Sequence, residues 1–189
     1  LLTTLLAPAL PARAEPVPEA ALSDGYALVD AVNQLRAANG LAAYQINIAL
    51  TISAQLHSEY QASIGTWSHE GSGGTDETQR AAIQGYGDGA SFMCDEAVGF
   101  GYQYTAEKMV EMWNEPTHAP IMLSSRYIDV GGGAAVDAEG RIFYTLDVCF
   151  ISRQSAPVSV TGSDLIQSTA EPFDGIQTAT PQPDGSIIH

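Results

Sequence analysis

The sequence predicts an α+β fold in which a small antiparallel sheet is sandwiched between helices, and three observations predict it. Helical spacing dominates the first half of the chain. Two adjacent strand-like runs joined by turn residues close the periodic region. Both faces of the last run are apolar, so the sheet requires cover on each side. With 189 residues the chain has material for one domain with a sizeable core plus tails, and too little for two ordinary domains.

The domain opens at Ser23, an N-cap residue type, ahead of a helix over Asp24 to Asn39. Leu28, Val32 and Leu35 fall on one face, and Gly40 suits a left-handed termination. A second helix spans Asn47 to Ser63, with Ile52, Leu56, Tyr60 and Ile64 recurring every four residues as the expected buried stripe. His57 on this helix reads as a packed histidine satisfied by a neighbour rather than as a ligand. The glycine-rich "SHEGSGGTDE" leads into a third helix that runs to Gln84, with Thr75, Asp76 and Glu77 at its positive end. It lacks the lysine of a phosphate-binding loop and carries acids where an anion site needs bare N–H groups. "GYGDG" then turns into a strand over Ala90 to Val98.

Thr105 caps a fourth helix, Ala106 to Asn114, whose Met109, Val110, Met112 and Trp113 read as core, and Pro116 ends it. A short helical turn near Pro120 to Ser124 precedes two strands, "YIDVGGGAAVD" and "RIFYTLDVCF", joined through Asp137 to Gly140. In the second, Ile142, Tyr144, Leu146, Val148 and Phe150 share one face, with Phe143 and Cys149 on the other.

Outside this region the composition changes. Residues 1–14, "LLTTLLAPALPARA", resemble the end of a secretory signal with an A-x-A cleavage site at Ala12 to Ala14, which predicts a secreted, extracellular or periplasmic protein. Residues 15–22 read as a linker, 23–152 as the domain, and 153–189, rich in Ser, Thr, Pro and Gly, as a disordered tail or linker. No run reaches the roughly 18 apolar residues of a transmembrane span. The 22 acidic against 7 basic residues give a net charge of −15. Such a surface repels phosphate backbones, which argues against a nucleic-acid partner. In an exported protein Cys94 and Cys149 are an even pair, and a disulfide between them is the expected state. Two buried free thiols and a metal pair are the alternatives.

Four residues able to carry a proton or hold a cation stand at element boundaries: His69, Glu96, Glu115 and His118. They lie within a series of segments, "VNQLRAANGL", "AQLHSEYQA", "WSHEGSGG", "TQRAAIQGYG", "CDEAVGFG", "VEMWNEPTHAPIML" and "YIDVGGGAAV…GRIFYTLDVCF". In that order they resemble the landmarks of the CAP superfamily, which joins cysteine-rich secretory, antigen 5 and pathogenesis-related proteins with bacterial SCP-domain relatives. The resemblance covers roughly Ala27 to Phe150. It implies a three-layer α-β-α sandwich, an extracellular location, and a cavity lined by two histidines and two acids. On the matching positions these are His69, Glu96, Glu115 and His118. Two departures stand out. Asp95 and Ala97 replace the glycine and asparagine of the family's "GEN" motif, and the spacing from Trp113 to His118 is one residue shorter than usual.

Two imidazoles, with a carboxylate as third ligand or as an orienting group, are suited to a divalent cation, zinc or magnesium, with an open position. Three readings of the tetrad follow. It is a binding cavity without catalysis, in which His69 and His118 can hold the cation, and this is the expected one. It is a metal-assisted extracellular hydrolase, of protease or esterase type, in which Glu96 activates water. Or it is a structural network, with function in an apolar groove for sterol or lipid. No serine or cysteine nucleophile motif is present; the one conceivable grouping, Cys94 with His69 and Glu96, competes directly with the disulfide. The partner is expected to be an extracellular ligand, lipid or protein, and the superfamily's activities are too varied for fold alone to choose.

Overall fold

The computed structural model describes residues 22–152. The predicted signal segment, the linker as far as residue 21 and the tail from residue 153 lie outside the described residues. In chain order the elements are α1 (Ser23–Ala38), β1 (Gln45–Ile46), α2 (Ile48–Ile64), α3 (Glu77–Ile83), β2 (Phe92–Tyr102), α4 (Ala106–Trp113), α5 (Ala119–Met122), β3 (Asp129–Val136) and β4 (Arg141–Ile151). Among these residues no helix is long and apolar enough to cross a membrane.

The sheet runs in the order β1-β3-β4-β2. β4 is central and antiparallel to both long neighbours, as the hairpin signal predicts. The two-residue β1 adds a parallel edge beside β3, so the expected antiparallel sheet is mixed. It is held by the Gln45 N–H donating to the Ile128 carbonyl at 2.8 Å and the Asn47 N–H donating to the Val130 carbonyl at 2.9 Å. A strand this short has no period to read. β2 runs four residues beyond its expected end because all eleven of its residues pair with β4. α2 starts where Asn47 caps it, its side chain accepting from the Ala49 and Leu50 amides. Asp76 sits one step outside α3 and forms a capping box with Gln79.

On one side of the sheet α1 and α4 bury Leu28, Val32, Met109 and Trp113 against Leu146 and Val148. Each such side chain contributes about 1.5–3 kcal/mol by leaving water. α2 and α3 cover the other side, where the Cys94–Cys149 bridge joins two residues directly opposite each other on β2 and β4. The expected disulfide is present and neither cysteine is free.

The apolar stripe read on α2 is not its buried face. Leu56 and Ile64 are 39% and 43% exposed, whereas Leu50, Ser53, Ala54, Gln55, His57, Ser58 and Gln61 are buried. β3 explains the reversal. A Cβ on Gly131 would stand 2.1 Å from the Leu50 carbonyl carbon, and one on Gly133 would stand 2.3 Å from that of Ala54. The helix backbone therefore lies directly on the strand, a closeness only glycine permits. Its polar side chains then reach sheet partners: Gln55 donates to the Ala134 carbonyl at 2.9 Å and accepts from its amide at 3.1 Å. Ser58 and Gln61 both donate to the Thr145 hydroxyl at 2.9 Å. Satisfied in this way, buried polar groups cost little.

Candidate functional site

The polar side of this helix–sheet interface ends at Glu96. Alternation along β2 places Cys94 and Glu96 on the same face, and the register sets Glu96 opposite Asp147, two residues from the Cys94–Cys149 rung. Glu96 is buried and has three cationic or potentially cationic neighbours. Arg80 from α3 donates through Nη2 to Glu96 Oε2 in a tight ion pair. His69, in the loop after α2, donates through Nδ1 to Oε1 at 2.8 Å. His57 Nε2 lies 3.5 Å from Oε2 and donates to the Ser68 carbonyl at 2.7 Å. Arg80 also ties down the loop, donating through Nη1 to the carbonyls of His69 at 2.9 Å and Thr75 at 2.8 Å.

These contacts set the charge of each group. The bond to Glu96 raises the His69 pKa above the ordinary imidazole value, against partial burial. Burial lowers that of His57, despite the nearby Glu96 carboxylate, and favours its neutral form. Asp147 is fully buried; neither oxygen has a well-formed hydrogen bond, and the Ser53 hydroxyl is the polar group that faces it. Burial first, and then the Glu96 charge, push its pKa well above the carboxylate range, with Arg80 opposing. The single guanidinium is thus matched to the Glu96 carboxylate, and the raised pKa of Asp147 favours its protonated form.

Glu115 and His118 form a separate pair. Glu115 Oε1 accepts from the His118 amide at 3.0 Å and from His118 Nδ1 at 2.5 Å, while Oε2 accepts from the Thr117 amide at 2.9 Å. The Thr117 amide and the His118 ring are the leading causes that bring the Glu115 pKa down to about 2. His118 stacks on Trp113, whose indole N–H donates to the Val98 carbonyl at 3.3 Å and so joins α4 to β2. Behind α5, the buried Arg36 donates to the Met122 and Ser124 carbonyls, each at 2.8 Å.

The two pairs meet at one open cleft of about 420 Å³. His69 and His118 both line it, with Trp67, Gly99, Phe100 and Thr117. In each histidine Nδ1–H is committed to a carboxylate, which leaves Nε2 as the bare nitrogen of the neutral ring. The tetrad is therefore two histidine–carboxylate dyads rather than one cluster. Glu96 and Glu115 do not line the cleft; each orients an imidazole that does. Among the described residues no group of three or more His, Cys, Asp or Glu is placed to hold a metal ion. The cysteine-nucleophile grouping is ruled out by the disulfide.

Sequence reasoning passed over three members of the network: His57, read as an ordinary packed histidine, Arg80 and Asp147. A signal existed for Asp147, the one carboxylate in the apolar run "RIFYTLDVCF", since a lone acid in a strand covered on both faces must find compensation.

A model of the cysteine-rich secretory protein family, CAP, matches residues 29–148. No curated protein matches the sequence. Among solved structures, an outer surface protein of Borrelia burgdorferi is similar at a TM-score of 0.57 and 18% identity, over 66% of this chain and 90% of that one. An extracellular protein containing an SCP domain from Bacillus anthracis is similar at a TM-score of 0.56 and 16% identity, over 74% of this chain but only 45% of that longer one. At such identities the likeness concerns the fold.

Proposed function

Because this chain belongs to the cysteine-rich secretory protein family, we propose that it is an extracellular binding module whose ligand enters the His69/His118 cleft, with both Nε2 atoms as its contact points. The observation that carries this reading is that two histidines from distant loops line one open cleft, each with Nδ1 held by its own carboxylate. Imidazoles oriented through a carboxylate in this way are suited to accept a proton, receive a hydrogen bond or ligate a cation.

The donor set decides which cation fits. Two neutral imidazole nitrogens suit zinc, whereas magnesium prefers oxygen ligands. Glu96 is occupied by Arg80 and His69, and so the ion would be held by His69 and His118, with its remaining positions left to water or to a ligand group. A zinc ion there would serve as an electrophilic anchor for an anionic or carbonyl-bearing ligand. Two protein ligands make a weak site, which fits binding better than permanent retention.

Zinc titration by calorimetry, with the full chain and its His69→Ala/His118→Ala double variant, tests the reading. The expected result is binding that the double variant loses; identical heats for the two proteins would remove the metal from the proposal. Ligand binding apart from zinc is checked by whether the Trp67 and Trp113 fluorescence response to candidate extracellular ligands disappears in the same variant.

A further inference from the structure

The histidine cleft lies along the free edge of the sheet. β2 pairs with β4 and is the last strand in the order β1-β3-β4-β2, so no strand runs along its other side. Backbone groups of an antiparallel strand alternate between its two sides. The Cys149 carbonyl is directed to β3, where it accepts from the Ile128 amide at 3.0 Å, and so its rung with Cys94 carries no bond between β2 and β4. Counted in twos from Cys94, the amides and carbonyls of Glu96, Val98 and Phe100 are directed outward, away from β4. Two of these groups are met from outside the ladder: the Glu96 N–H donates to the Asp95 side chain at 3.0 Å, and the Val98 carbonyl accepts from Trp113 Nε1 at 3.3 Å. The N–H and C=O of Phe100 have no such partner among the described residues, and Val98, Gly99 and Phe100 line the cleft.

The two histidines stand on opposite faces of that edge. Glu96 is turned to the side covered by α2 and α3, where it meets His57, Arg80 and His69. Gly99 is turned to the other face: a Cβ there would stand 3.0 Å from Trp113 Nε1, and His118 stacks on that indole. A ligand that reaches both rings must therefore cross the edge between them. An extended polypeptide does so by its own geometry. Its main chain offers an acceptor to the Phe100 N–H and a donor to the Phe100 carbonyl, and its successive side chains turn to opposite faces. A lipid tail leaves the two Phe100 groups unpaired, and a bare ion reaches the rings without them.

Resting on the reading of this cleft as the ligand site, we propose that the ligand is a peptide segment in extended conformation that adds to the sheet as a strand alongside β2. One peptide residue exchanges main-chain hydrogen bonds with Phe100 and turns its side chain to the His69 face; its neighbours turn theirs to the His118 face.

The probe is a phage-displayed library of short random peptides, selected on the full chain without added zinc, and the tightest binder is then synthesised. It is expected to slow hydrogen exchange at the Phe100 amide, followed by ¹⁵N NMR. Methylating its backbone nitrogens one at a time should weaken binding at alternate positions, because only every second peptide N–H faces β2. On the protein, Phe100→Pro removes the edge donor, a change that an edge strand tolerates. It should bind at least about tenfold more weakly than Phe100→Ala, which lacks the ring as well but keeps the amide. Failure to select any peptide, equal affinity of these two variants, or a methylation scan without alternation would each overturn the proposal. A peptide that perturbs the His69 and His118 rings without protecting Phe100 would overturn strand addition and leave the cleft as the ligand site. Protection of Phe100 that persists in the His69→Ala/His118→Ala variant would uphold strand addition and count against the histidine contacts alone.

Discussion

The two histidine–carboxylate pairs look alike in sequence and differ in kind. Glu115 and His118 are three residues apart, and Glu115 is occupied by backbone amides and a ring within its own turn. Glu96 and His69 are separated by 27 residues, and Glu96 is buried with Arg80, His57 and Asp147 drawn from three further elements. The first pair is a local cap that water can reach; the second belongs to a charge-balanced interior that exists only when the sheet and both covering helices are assembled. Similar donor and acceptor chemistry thus orients one imidazole cheaply and the other at the cost of a buried ionic network.

The most damaging way to break the contrast is Arg80→Ala. It leaves the Glu96 carboxylate buried beside Asp147 without its cation and should destabilise the fold by about 3–5 kcal/mol, read from the denaturant midpoint with the disulfide intact. A smaller effect, of opposite sign, is expected from Asp147→Asn. The folded-state pKa of Asp147 is raised, so its contribution is fully present below the unfolded carboxylate value near pH 4 and is lost as pH climbs through the folded value. The asparagine variant should therefore be more stable than the parent at about pH 7, with the advantage shrinking toward about pH 4 in a series of denaturation curves. A variant less stable than the parent at every pH would show that the proton on Asp147 is not what the interior requires. The smallest effect belongs to Glu115→Gln, which removes bonds that favour the carboxylate at a water-screened site and so should lower the denaturation midpoint only slightly, raising amide exchange mainly at Thr117 and His118. A large loss of stability there would erase the distinction between the two pairs.

Much of the architecture was legible along the chain. Leu28 and Val32 marked the core face of α1, Thr105 and Pro116 bracketed α4, and the turn at Asp137 to Gly140 announced the β3–β4 hairpin. All are local signals, in which capping chemistry, turn residues and periodicity act within a few residues of one another. His69, Glu96, Glu115 and His118 were legible as a set only through the order of the family's landmarks, and the structure divides that set into pairs.

What the sequence by itself determined was the class of fold and, apart from the two-residue β1, the order of its elements; His69 and His118 it put forward only as candidates. The tertiary structure alone decided which face of α2 is buried, because the Gly131 and Gly133 backbone admits the helix more closely than any apolar stripe could indicate. It alone decided also that His57, Arg80 and Asp147 share one interior with Glu96. Periodicity reports how a segment prefers water on one side. It carries no information about a charge that is compensated from 16 residues away or a carboxyl that meets its counterpart across a strand register, since those energies appear only when distant segments exclude solvent together.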